Sequence, residues 1–305
     1  MKKLLRIIVI CLIFIIIFDR LTILLIRKGN GYGTDVLNFY KQPKNSIDIL
    51  FLGSSHAYTA FNPYLIEEKT GLSGYVFATQ QQPIWITYYY LKEALKYQTP
   101  KYVVLEVHMA IVGNDEYSEE QVNRDAIDKM KFSINKINAI KTSVSSDEDK
   151  MSYYFNIIKY HNRYKELSFT DFKTAFLGYT VDNKGYIALP NDNYIYNNSN
   201  EYNDEVEQIF PKNLEYLNKI IELSKMNNIK LILVKTPAFY TREEISKLNF
   251  LEKLAKEEDL LYLNYMKEMD KLKLDFNTDF YDSGHLSKTG SEKITLDLIK
   301  EINKK

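Results

Sequence analysis

A chain of 305 residues, 45% hydrophobic and 26% charged, is long enough for one large globular domain or two small ones and apolar enough to bury a core. Its 40 basic and 40 acidic residues cancel, so bulk charge gives no footprint for nucleic acid. A single cysteine, Cys11, excludes an intrachain disulfide.

The first element is apolar. Lys2, Lys3 and Arg6 precede an uninterrupted run at 7–18, followed by Asp19-Arg20 and a second run at 21–26. As a helix the first run spans about 18 Å at ~1.5 Å per residue, short of a hydrocarbon core of ~30 Å, whereas residues 4–26 span roughly 34 Å. No small-x-small cleavage site follows, so residues 1–28 read as an uncleaved signal anchor that crosses a membrane once, a buried core helix of a soluble protein being the alternative. The basic N-terminus favours an inside tail and an outside domain, a bias that Arg27 and Lys28 weaken. Asp19-Arg20 has two readings. Either the pair sits at the outer headgroup level with 21–26 along the surface, or it docks against an integral membrane partner.

Residues 29–46 read as a polar connector. Beyond it, apolar runs of strand length fall at 47–52, 75–78, 102–107, 229–234 and 260–263, rich in β-branched and aromatic residues. Strands buried on both faces look like this. Helical patterns at 62–69, 85–97, 211–226, 242–257 and 287–302 alternate with them. Such alternation predicts an α/β domain, three layers deep and doubly wound around a parallel five-stranded sheet. Its two parts are 47–113 and 205–305. Residues 114–204 are too many for a loop. Helix-like segments at 118–140 and 150–165 and a loop-like tract predict an insertion on the sheet's C-terminal edge. The insertion is either lid-like, with its tyrosines facing a sugar, or packed on a core.

The chemistry gathers at two places. In "DILFLGSSHAYTAFNP", residues 48–63, a strand-like run ends abruptly in Gly53-Ser54-Ser55-His56. The loop after the first strand of an open parallel sheet lies at the topological switch point, with the next helix's N–H groups pointing at it. A serine there is placed for attack, although small residues after a strand also make an ordinary turn. In "DFYDSGHLSKTG", residues 279–290, Asp282 and His285 stand three apart just before the last helix. A serine that attacks an acyl carbon needs a base for its proton and an acid to hold that base's tautomer. One Asp-x-x-His loop supplies both, and Ser287 or Thr289 can cap the helix that fixes it.

Together these motifs resemble the SGNH (GDSL-type) hydrolases over 47–110 and 228–303, the insertion excluded. The resemblance implies a flavodoxin-like sheet, with Ser55 as nucleophile, His285 as general base and Asp282 as orienting carboxylate. The family's Gly-Asp-Ser is here Gly53-Ser54-Ser55. Its second block carries a glycine, whereas "FATQQQPIW" has none and places Gln80 to Gln82 there. Its third block carries an asparagine where "VVLEVHMA" has His108, and Asn114 comes several residues later. Oxyanion and substrate contacts are therefore expected from the Ser55 N–H, Gln81, Gln82 and His108. His56 and His161 are expected to be structural. No pair has zinc-ligand spacing and no phosphate loop occurs, so no metal or cofactor is expected.

The N-terminal anchor makes the chain most similar, within that superfamily, to the membrane-anchored D-alanyl transfer proteins (DltD type) and related envelope O-acyl transfer proteins. This implies a place beside a membrane-bound O-acyltransferase in a bacterial cell membrane, acting on an envelope polysaccharide or teichoic-acid-like polymer. Two functions stay open. One is a serine acyl esterase or O-acyltransferase, depending on whether water or a polymer hydroxyl meets the acyl-serine. The other is a non-catalytic envelope-binding or assembly protein that keeps the fold, for which the missing glycine and asparagine speak.

Overall fold

The computed structural model describes residues 2–26, 35–112, 119–178, 182–191 and 200–304. It opens on α1 (Lys2–Leu25), which is long and apolar enough to cross a membrane, with a mean hydropathy of 2.8. Its large apolar side chains from Leu4 to Ile17 are exposed. Only its C-terminal end is held: the Arg163 guanidinium donates to the carbonyls of Leu25 and Ile26 at 2.7 and 2.6 Å. Arg20 pairs with Asp19 at 2.9 Å and donates to the Ala175 carbonyl at 2.9 Å, so this pair is engaged within the chain. Part of the expected connector lies outside the described residues. Its remainder holds the short helix α2 (Asp35–Phe39), and Phe39 is fully buried, stacked on Phe77 at 4.1 Å.

The alternating part follows as β1 (Ile49–Leu52), α3 (Ser55–Ala60), α4 (Pro63–Thr70), β2 (Gly74–Val76), α5 (Ile84–Ala94), β3 (Tyr102–Glu106) and α6 (His108–Ile111). The insertion contributes α7 (Glu120–Ile127), α8 (Ile134–Ser143), α9 (Asp147–Tyr154), α10 (Asn156–Tyr160), a 3₁₀ turn (His161–Lys165) and α11 (Phe169–Leu177). The chain then completes α12 (Pro211–Met226), β4 (Lys230–Lys235), α13 (Arg242–Glu257), β5 (Leu261–Asn264), α14 (Phe276–Asp279) and α15 (Lys288–Asn303).

The five strands form one parallel sheet in the order β2-β1-β3-β4-β5. Strand period explains why they read as unbroken apolar runs. Leu50, Leu52, Val103, Leu105, Leu231 and Leu233 face one core with α5, α12 and α13. Their alternates Ile49, Phe51, Val104, Ile232 and Val234 face a second core with α3, α4 and α15. Both faces are covered, so neither can be polar. The order reverses between β1 and β3, and the crevice beyond their C-terminal ends is where such sheets bind ligands.

The insertion divides in two. Its helices pack sideways: α8 lies along α5, and α10 and α11 lie along α1. The expected continuous helix over 118–140 is broken because the Ser133 side chain caps α8 by accepting from the Lys136 amide. Tyr153 and Tyr160 are buried, with the Arg124 guanidinium 3.5 Å over the Tyr153 ring. The described part of the loop-like tract instead borders the sheet's C-terminal edge. Lys184 accepts from the Val76 amide and Leu189 from the Lys288 amide, both at 2.8 Å, while the Asn200 side chain accepts from the Tyr240 amide at 2.9 Å. Residues 192–199 lie outside the described residues.

Candidate active site

Ser55 is placed by a forced turn. Gly53, just past β1, has φ +142, which side chains rarely adopt, and a Cβ there would come within 3.0 Å of the Glu106 Cβ on β3. The turn carries the chain over the sheet edge through Ser54 into α3, whose first residue is Ser55. Amides at the head of a helix have no intrahelical acceptor, so the Ser55 N–H remains available beside its own hydroxyl. The neighbouring Ser54 hydroxyl is buried without a hydrogen-bond partner among the described residues.

The second limb is a loop closed by a bridge between Phe280 and Leu286 and by the Tyr281 amide donating to the His285 carbonyl at 2.9 Å. Inside it, Asp282 Oδ1 accepts from the amides of Gly284 and His285, each at 2.8 Å. Both carboxylate oxygens lie 2.9 Å from His285 Nδ1. The opposite ring nitrogen, Nε2, lies 2.8 Å from Ser55 Oγ. Burial pushes the Asp282 carboxyl up, but the hydrogen bonds from the His285 ring and the two amides outweigh it and hold the group below its usual range. Ser287 caps α15, as its spacing suggests. The hydroxyls of Ser291 and Thr295 on α15 donate to the Ala60 carbonyl at the end of α3, at 3.0 and 3.2 Å. These bonds tie the limb carrying His285 to the limb carrying Ser55.

Beneath the triad the structure assembles groups that sequence reasoning passed over. His56 is buried, not a bystander on α3. Its ring stacks on His108 at 3.8 Å between centroids and 24° between planes, and lies 5.1 Å from the His285 ring. Its Nδ1 is 3.2 Å from the Thr236 hydroxyl, which donates to Glu106 Oε1 at 3.1 Å. Since that hydroxyl gives its proton to the carboxylate, it accepts from His56 Nδ1, and the Nε2 lone pair of His56 stays open. Glu106 Oε1 also takes Lys235 Nζ at 2.6 Å, both side chains being fully buried, and Glu106 Oε2 takes the His108 amide at 3.0 Å. Burial, His108, Lys235 and His285 drive the His56 imidazole well below its ordinary range. Burial, Lys235 and His285 do so for His108. Both rings are neutral at pH 7. The one trace in the sequence is that two apolar strand-like runs, "YVVLE" and "LILVK", end in opposite charges; in the sheet Glu106 pairs with Val234, so Lys235 stands one position further along.

The expected oxyanion residues separate. His108 is in the cluster, its Nδ1 2.7 Å from the Tyr240 hydroxyl. Gln82 is fully buried and holds the β2–α5 loop, accepting from Thr79 at 3.0 Å and donating to Thr87 at 2.9 Å. Gln81 is exposed in a left-handed turn with φ 47. Neither amide is hydrogen-bonded to Ser55 or His285 among the described residues. Asn114 lies outside the described residues. His161 is exposed and bonds only locally, to the Ile158 carbonyl at 2.9 Å. Among the described residues no group of three or more His, Cys, Asp or Glu side chains is arranged to hold a metal ion; His56 and His108 stack, and the His285 ring lies tilted to His56. Comparison with known proteins gives no matching family model and no matching curated protein.

Proposed function

We propose that the chain is a serine acyl esterase or O-acyltransferase of the SGNH type, anchored by α1 in a bacterial cell membrane and acting outside it on acyl esters of an envelope polymer. One observation carries this reading: the unbroken series of hydrogen bonds from Ser55 through His285 to Asp282, contributed by residues 230 positions apart. A binding or assembly protein has no need of such a series. The strand order supports the flavodoxin-like arrangement that the resemblance implies. The exposure of α1 supports the anchor, since a core helix of that hydropathy would be buried.

Ser55 Oγ attacks the acyl carbonyl carbon while its proton passes to His285 Nε2, and the imidazolium formed is stabilised by Asp282. The neutral state of His56 matters here, because a second positive ring 5.1 Å away would oppose that imidazolium. The Ser55 N–H faces the developing oxyanion. His108 is the second donor: burial, Glu106 and other acidic neighbours keep the Tyr240 phenol protonated, so it donates to Nδ1 and leaves the proton on Nε2. Such donors are worth roughly 3–4 kcal/mol each in acyl transfer. His285 then protonates the leaving alcohol. A water or a polymer hydroxyl repeats the sequence in reverse, giving its proton to His285 and taking the acyl group from Ser55. A membrane-bound O-acyltransferase that supplies acyl groups fits this scheme as a partner.

A fluorophosphonate probe tests the reading on the full chain. Labelling that is lost in Ser55→Ala is the expected result. If the wild type resists the probe, or Ser55→Ala labels equally, the serine is inert and the non-catalytic alternative replaces this one.

A further inference from the structure

Helix α11 is inside out for a protein surrounded by water. Its inward residues are Asp171, Thr174 and Ala175, all buried, whereas Phe169, Phe172, Phe176 and Leu177 are 74, 43, 55 and 79% exposed. The three phenylalanines stand at i, i+3 and i+7, on one face of the helix. Phe155 and Ile158, 42 and 51% exposed, add to this apolar surface from the α9–α10 corner. The surface is continuous with α1: α11 packs along that helix, and Phe18 meets Phe155 edge-on at 6.1 Å.

Length gives the apolar surface a partner. Residues 2–17 of α1 are bare and 18–26 are flanked by the insertion. The bare apolar part, from Leu4 to Ile17, covers about 21 Å at ~1.5 Å per residue, against a hydrocarbon core of ~30 Å. Roughly 10 Å of the span must come from the portion of α1 that the insertion flanks. Whatever stands beside α1 there stands in lipid. The depth matches the ~5–10 Å at which amphipathic helices lie in an interface. At the same level a cleft of about 610 Å³ opens between α1, α2 and the insertion, lined by Phe14, Phe18 and Phe155 together with charged side chains such as Arg20, Lys129 and Lys136.

We propose that α11 and the α9–α10 corner form a collar sunk into the lipid leaflet on the domain's side, with acyl chains against its phenylalanines and in the cleft. This rests on the reading of α1 as a membrane anchor. The insertion then sets the height and tilt of the active site above the bilayer and brings Ser55 to substrates held near the surface.

The test uses the full chain in phosphatidylcholine vesicles, with a nitroxide spin label whose collisions with oxygen and with a water-soluble nickel complex report depth. The native Cys11, exposed on α1, carries the reference label. Cys11→Ser combined with Phe172→Cys or Phe176→Cys places the label on the collar, and with Met226→Cys on a residue 80% exposed at the end of α12. The proposal expects labels at 172 and 176 to favour oxygen over nickel, as at Cys11, while the label at 226 favours nickel. Labels at 172 and 176 that behave like 226, with Cys11 still in lipid, overturn the collar alone and point to water or an integral protein over this face. If the Cys11 label also sits in water, the anchor reading falls and the collar with it.

Discussion

The Ser55–His285–Asp282 series and the Glu106–Lys235 pair lie on the same edge of the sheet, yet solvent reaches only the first. The His285 and Asp282 side chains are 28 and 38% exposed, whereas those of Glu106 and Lys235 are wholly buried. In the exposed array, on the proposed function, His285 can take a proton from an attacking hydroxyl and return it to a departing alkoxide. In the buried one the charged groups are committed: Glu106 holds Lys235, Thr236 and the His108 amide, and through Thr236 it orients His56. On the proposed function, the difference separates the groups that react from the groups that hold the floor beneath them. Substitutions in the first should remove activity and spare the fold, and substitutions in the second should do the reverse.

The largest expected effect is on turnover. Ser55→Ala and His285→Ala should each abolish hydrolysis of a small acyl ester, and Asp282→Asn should leave a residue after a loss of roughly 10⁴-fold, because it damages tautomer control without removing the nucleophile. Far-ultraviolet circular dichroism and denaturant midpoints should stay near wild type. Ester turnover by Ser55→Ala at the wild-type rate would erase the contrast between the two arrays.

Next comes the buried pair. Glu106→Gln strands the Lys235 ammonium and should cost about 3–5 kcal/mol, read as a fall in the urea midpoint. Replacing both, Glu106→Gln with Lys235→Met, should recover much of that loss, since an apolar side chain needs no partner in a dry site. A Glu106→Gln variant as stable as wild type would mean that water reaches the pair after all.

How much of this was legible in the sequence follows from the distance over which each contact forms. Asp282 and His285 touch within a single loop, so their spacing sufficed. Ser55 was marked by the glycine that a tight crossing of β3 requires. The strands were located to within one or two residues because burial on both faces leaves no polar alternation to misread. The cluster of His56 with His108, in contrast, exists only because β1 and β3 are neighbours, and the Lys235–Glu106 pair joins residues 129 apart. No local pattern encodes either. Gln82 misled because an amide in the right loop looks the same whether it faces substrate or, as here, Thr79 and Thr87. Helix α11 was missed: the helix-like pattern extends only to residue 165, because the inward and outward faces of this helix carry residue types that invert the rule for water.

A smaller effect should appear on titration. The His56 imidazole is held neutral when folded and takes a proton below ~6.5 when unfolded, so the unfolded state binds more protons as pH falls. Stability should therefore be full above pH 7 and decline below about 6.5, by up to ~1.4 kcal/mol per pH unit for this one ring, with His108 adding in the same direction. Asp282, held low when folded, adds a further loss only as pH falls through the acid carboxylate range. Equilibrium unfolding from pH 7.5 to 5 should show the decline, and His56→Gln should flatten it. A profile that is flat in the wild type would place a charged, solvated ring at position 56.

The smallest effect concerns the tie between the limbs, and it distinguishes holding from reacting most finely. Ala60 closes the helix that Ser55 begins, and its carbonyl accepts from both Ser291 and Thr295 of the helix that His285 precedes. With two donors on one acceptor, Ser291→Ala leaves the carbonyl satisfied by Thr295 and should cost only about 0.5–1.5 kcal/mol, the net worth of one hydrogen bond. Thr295→Val removes the other donor and also the hydroxyl that accepts from the Asn62 amide at 3.1 Å, so it should cost more. Both together orphan a buried carbonyl, and the combined loss should exceed the sum of the two. If the tie sets the 2.8 Å approach of His285 to Ser55, the double variant should also lower kcat for a small ester with little change in KM, because a misplacement of ~1 Å can cost up to 10²-fold. A double-mutant cycle on unfolding and on ester kinetics measures both quantities in the same proteins. Additive unfolding energies with unchanged kcat would show that α15 and α3 are aligned by their apolar contacts alone and that the hydroxyls add nothing to the geometry of the site.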